Sequence, residues 1–193
     1  MSILLEKKTN NFHFGIWKTN ESISHLRKLS KNLDDSHLKL EKRKKEYLST
    51  RILLNHMNPL LEITYNDKSA PIVNKNMHIS ISHCENLTSL ILSKKPVGID
   101  IQKINSKSKS ISSKFINRHH LQDLSEEKAC LLWTIKEAVF KWRRGDRINF
   151  KKDIVVLQFT LKNSGKTPVQ FKHESVECNY LKIENQYLSY VCQ

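Results

Sequence analysis

Two short segments hold the residues that could do chemistry. In Val97-Gly98-Ile99-Asp100-Ile101 a carboxylate stands among β-branched residues, and in Trp133-Thr134-Ile135-Lys136-Glu137-Ala138-Val139-Phe140-Lys141 a Lys-Glu pair and a further Lys interrupt an apolar helical pattern. Charges set inside apolar elements need partners, and acids held in such places are functional candidates. Alone, Glu137 and Lys141 at i, i+4 could be a surface ion pair worth only ~0.3–0.5 kcal/mol. Together with Asp100 they offer more. Two carboxylates suit a hard divalent cation, and an ammonium suits the oxygens of a polyphosphate held by that cation.

These side chains need a strand and a helix to place them. Val97, Ile99 and Ile101 alternate with Gly98, Asp100 and Gln102, so Asp100 and Gln102 share one strand face. Ser125-Glu126-Glu127 reads as a helix start, with acids in the first turn, and the helix runs to about Arg143 with Gly145 ending it. Leu132, Ile135, Val139 and Trp142 form its apolar stripe. Glu137 and Lys141 project from the opposite side, flanked by Trp133 and Phe140, so that side is partly buried.

Upstream, residues 10–19 read as a strand. A helix capped by Asp35 or Ser36 runs to about Met57, with Leu40, Tyr47, Leu48, Ile52 and Leu54 apolar beside the basic run Lys42-Arg43-Lys44-Lys45 and Arg51. A loop at 66–71 precedes strands at 77–83 and 88–93. Residues 102–122 form a basic, Ser-rich connection carrying Lys103, Lys107, Lys109, Lys114 and Arg118, with a short helix near Phe115. Strands follow at 154–161, 169–173, 180–183 and 187–192. The pattern predicts an α/β (α+β) fold of two similar halves, 1–96 and 97–193.

The chain has 193 residues, enough to bury a real core, and 38% of them are hydrophobic. Its formal charge of +14, from 33 Lys and Arg against 19 Asp and Glu, calls for anionic partners: nucleic acid, a phosphorylated small molecule or an acidic protein. No apolar run approaches a membrane span, and the N-terminus shows no signal-peptide h-region. Cysteines 84, 130, 178 and 192 form no CxxC pair and read as free thiols of a reducing cytoplasm.

Both segments resemble one family, the 4′-phosphopantetheinyl transferases of the surfactin-synthetase-activating type, which combine a V-G-I-D strand with a W-S/T-x-K-E-A/S-x-x-K helix some 35–40 residues later. Here Asp100 and Glu137 lie 137 − 100 = 37 residues apart. Ile79-Ser80-Ile81-Ser82-His83 resembles the family's N-I-S-H strand, Lys68-Ser69-Ala70-Pro71 its G-K-P loop with one residue inserted, and Arg51 an Arg of its first long helix. The resemblance spans about residues 40–145. It implies two pseudo-symmetric halves, each a small antiparallel sheet on a long helix, with the active cleft between them.

The activity it implies is transfer of phosphopantetheine from coenzyme A, the co-substrate, to a serine of an acidic apo acyl or peptidyl carrier protein by a cytoplasmic monomer. Asp100 and Glu137 would hold Mg²⁺, Glu137 would take the serine proton, and Lys141 would stabilise the pyrophosphate. Ser82 and His83 would contact the coenzyme A phosphates. Arg43, Lys44, Arg51, Lys68 and Lys136 are further candidates for binding it, Lys68 and either Arg43 or Lys44 at the 3′-phosphate. One departure stands out: the family's second strand acid is replaced by Gln102, a poorer Mg²⁺ ligand that would act directly or through water.

Two other classes compete. The charge, the 42–45 cluster and the basic stretch 102–122 would suit a nucleic-acid-binding protein, but no helix-turn-helix, zinc-finger spacing or RNA-binding aromatic strand is present. An inactive, carrier-binding homologue would be compatible with Gln102.

Overall fold

The computed structural model describes residues 3–144 and 147–193. The helix-ending role read for Gly145 lies outside the described residues. The chain divides into two compact units, 1–95 and 96–193.

In the first unit, β1 (Ile3–Lys8) and β2 (Phe12–Lys18) lead into α1 (Ile23–Leu29) and α2 (Glu41–Met57). The hairpin β3 (Ile63–Tyr65) and β4 (Pro71–Val73) follows, then β5 (His78–Cys84) and β6 (Leu87–Ser93). An antiparallel sheet of order β1-β2-β6-β5 carries α2 on one face. Leu48, Ile52, Leu53 and Met57 of α2 pack there against Trp17, Ile79, Leu90 and Leu92. The helix begins later than the sequence suggested. Its N-cap is Leu40, without a side-chain hydrogen bond, because Asp35 is held instead by the Arg27 guanidinium at 2.9 Å.

The second unit opens with β7 (Val97–Lys103), then α3 (Ser106–Ser110) and 3₁₀ turns at Ser112–Lys114 and Arg118–His120. After these come α4 (Glu126–Arg143), β8 (Ile154–Val156), β9 (Ser164–Phe171), β10 (Glu174–Ile183) and β11 (Gln186–Cys192). The sheet is antiparallel, of order β7-β11-β10-β9-β8. The apolar stripe of α4, Leu132, Ile135, Val139 and Trp142, packs with Val169, Val176, Cys178, Tyr187 and Val191 of the sheet. Burying such side chains stabilises by roughly 1.5–3 kcal/mol each.

Sequence and structure differ most at the edges of elements. The strand expected over 154–161 ends at Val156, whereas β9 and β10 begin five and six residues earlier than their apolar cores suggest. Phe115 and Ile116 join the core rather than a helix. Among the described residues, no helix is long and apolar enough to cross a membrane.

Candidate active site

Ser125 starts α4 as its sequence predicts, its hydroxyl accepting the Lys128 N–H at 3.0 Å. The helix ends at Arg144, which adopts the left-handed conformation (φ 49°) and donates its N–H to Phe140. Between these ends α4 lies close to β7, the end strand of its sheet. Gly98 makes that approach possible. A Cβ there would overlap the Ala138 carbonyl oxygen and stand 2.6 Å from the Trp142 nitrogen, so only hydrogen fits. Gly98, Asp100 and Gln102 share the helix-facing side of β7, where they pair with Val191, Ser189 and Tyr187. Ser189 and Thr134 of α4 share a hydrogen bond at 2.9 Å.

This packing puts Asp100 against the side of α4 that carries Glu137 and Lys141. Lys141 Nζ donates to Asp100 Oδ1 at 2.7 Å and to the Ile99 carbonyl at 3.1 Å. Asp100 is only 2% exposed. Glu137, half-buried, has its carboxyl pushed up to about 7, first by burial and then by the Asp100 charge, with Lys141 acting in the opposite direction. Two carboxyl groups and one ammonium therefore share a poorly hydrated space, with a net negative charge once Glu137 ionises. Such a cluster stabilises an added cation, and its oxygen-only donors suit a hard one. Among the described residues no group of three His, Cys, Asp or Glu side chains could hold a metal. A pair of carboxylates fits Mg²⁺, which is usually bound through one or two carboxylates with substrate phosphates and water supplying the rest. Gln102 continues the same strand face, but in place of a third carboxylate it offers an amide.

Lys136 lies elsewhere. It is 1% exposed and donates to the carbonyls of Phe150 (2.6 Å) and Ile154 and to Asn117 Oδ1 at 3.5 Å. Burial, with Lys151 nearby, pulls its ammonium down to about 7. These contacts tie α4 to the segments around residues 117 and 150, which is a structural task and not a ligand contact. Phe150 also stacks on Trp133, whose ring meets Phe115 edge-on.

The remaining candidates belong to the first unit. His83 faces α2, its Nε2 2.8 Å from Thr50 Oγ1. Because the Thr50 hydroxyl donates to the Glu46 carbonyl at 2.7 Å, His83 is the donor in this pair. Ser82 is buried on the opposite face of β5. Arg51 stacks over the Tyr47 ring, 3.5 Å from its centroid. Arg43 is exposed and bound to Glu46 at 2.7 Å, Lys44 is half-buried, and Lys68 is exposed in the turn organised by Asn66. A cavity of about 350 Å³ on this unit is lined by Lys42 and Lys45, not Arg43 and Lys44, together with Glu41, Glu46 and Glu85. Three carboxylates against two ammoniums make it a poor anion site.

The profile of the 4′-phosphopantetheinyl transferase superfamily matches residues 96–192, which is the second unit almost end to end. The chain belongs to this superfamily. It is also 30% identical over 96 residues to the 4′-phosphopantetheinyl transferase gsp of Aneurinibacillus migulanus, an alignment covering 46% of this chain and 40% of that relative. The superfamily match thus falls on the unit that holds Asp100, Glu137 and Lys141. Gly98 was overlooked as a positioning residue in the sequence, although a glycine inside an otherwise β-branched strand signals close backbone approach.

Proposed function

We propose that this chain transfers the 4′-phosphopantetheine group of coenzyme A to a serine of an apo acyl or peptidyl carrier protein and releases adenosine 3′,5′-bisphosphate. The observation that carries the reading is the joining of Asp100, Glu137 and Lys141 in one partly buried cluster within the region of superfamily match.

In this reaction the serine oxygen bonds to the phosphorus bearing pantetheine, and the bond from that phosphorus to the departing bisphosphate breaks. Asp100 and Glu137 would hold Mg²⁺, with Gln102 contributing directly or through water; the bound ion would supply charge neutralisation at the leaving phosphate and a template for in-line attack. Glu137 accepts the serine proton, directly or by way of a water. Without the ion this carboxyl is pushed up to about 7 by burial and the Asp100 charge; a bound cation would favour its ionised, proton-accepting form. Lys141 places its ammonium on the pyrophosphate oxygens, which gather negative charge as the bond breaks. His83, Arg51, Lys68 and Arg43 or Lys44 are the candidates for the remaining phosphate of coenzyme A, the 3′-phosphate.

The chain's +14 charge supports an acidic carrier as partner, since opposite charge speeds and orients encounter. Three buried free cysteines suit a reducing cytoplasm, and we assign the protein there as a monomer. Mass spectrometry of a panel of apo carriers incubated with the protein, coenzyme A and Mg²⁺ tests the reading. A carrier gaining the mass of phosphopantetheine supports it. Unchanged masses across several unrelated carriers, with the protein folded, would refute it.

A further inference from the structure

Lys141 is bound to a carboxylate assigned to the metal. Its ammonium lies 2.7 Å from Asp100 Oδ1 and is fixed by a second bond to the Ile99 carbonyl. The Asp100 side chain is 3% exposed and that of Lys141 27%, so the acid is held in place while the lysine can be reached from outside. With Gln102 in place of a further acid, the Lys141 ammonium offsets part of the charge of the Asp100–Glu137 pair. An ion entering beside Asp100 would meet a resident positive charge that the burial of Asp100 leaves only partly screened.

We propose that Lys141 acts as an internal counter-ion that weakens metal binding by the protein alone and makes it depend on the polyphosphate. A diphosphate arriving with its own negative charge gives the ammonium a second partner, so Asp100 is released to join Glu137 at the ion. Metal and diphosphate then bind cooperatively. By linkage the diphosphate tightens the metal to the same extent that the metal tightens the diphosphate. The inference rests on the assignment of Asp100 and Glu137 as metal-holding residues.

Mn²⁺, followed by its paramagnetic resonance signal as it becomes bound, is the probe. It is titrated into the full-length protein with and without coenzyme A, with carrier left out so that no turnover occurs. Removing a unit charge so near a partly buried site predicts that Lys141→Met binds Mn²⁺ about tenfold more tightly than the parent without coenzyme A. The enhancement produced by coenzyme A should shrink by a similar factor. Lys141→Arg, which keeps the charge, should restore weak binding. Asp100→Asn in the Lys141→Met background should abolish the tight site. Equal Mn²⁺ affinity of parent and Lys141→Met, an undiminished enhancement by coenzyme A, or tight binding that survives Asp100→Asn would each overturn the proposal. Failure of the transferase reading would show separately, as no modification of any carrier by the parent protein.

Discussion

At the scale of single residues, Glu137 carries an energetic cost set by its burial and by the neighbouring Asp100. Its folded pKa of about 7 lies above the ordinary carboxylate value of 4.5. A raised pKa means that the favourable contribution is complete below pH 4.5 and is lost as pH climbs through 7, where the folded protein must hold an ionised acid beside Asp100. Glu137→Gln removes that charge at little cost in shape. The variant should gain up to about 3 kcal/mol over the parent at pH 8 and almost nothing at pH 4.5, measured by urea unfolding without metal. A gain independent of pH would contradict a Glu137 carboxyl raised by burial and by the Asp100 charge. Lys136 shows what a motif cannot tell. Sequence similarity grouped it with the ligand-binding residues, but helical spacing sets it between Leu132 and Val139, beside the apolar stripe, and its ammonium ends on main-chain carbonyls.

At the scale of elements, the site depends on how near α4 comes to β7. Gly98 sets that distance because any side chain there would strike the Ala138 carbonyl and the Trp142 nitrogen, both rigid backbone. Gly98→Ala should therefore destabilise the protein by about 3 kcal/mol or more, beyond ordinary overpacking, and should lower transfer even at temperatures where the variant is folded. Thermal unfolding and the carrier assay run side by side check this; an unchanged Tm would show that the helix can shift freely. In the first unit Gly15 of β2 also faces α2, but a Cβ there would meet the side-chain ends of Leu53 and Met57 and not the helix backbone. Much of this was legible in the sequence. The alternation at 97–102 put Asp100 and Gln102 on one face, and the period of α4 set Glu137 opposite the buried stripe. What sequence missed has physical causes. β1 is exposed at the sheet edge and α1 is one short amphipathic stretch, so neither leaves a strong pattern. Asp35 resembled a helix cap but was taken by Arg27, a partner eight residues away.

At the scale of the whole molecule, the excess of 33 basic over 19 acidic side chains creates a field that acts on any anionic partner before contact. For an acidic carrier this should appear in kcat/KM rather than kcat. Raising monovalent salt from about 0.05 to 0.5 M should lower kcat/KM for the carrier by roughly tenfold, as the Debye length falls from ~14 to ~4 Å. Salt-independent kcat/KM would remove charge steering from the account.

If Asp100 of β7 and Glu137 of α4 act together in group transfer, loss of either carboxylate should stop it. The most direct measurement is the mass of a single apo carrier after incubation with coenzyme A, Mg²⁺ and either the parent protein, Asp100→Asn or Glu137→Gln, each verified as folded. The account predicts complete modification by the parent and none detectable with either variant over the same time. Modification by both variants at the parent's rate would contradict it.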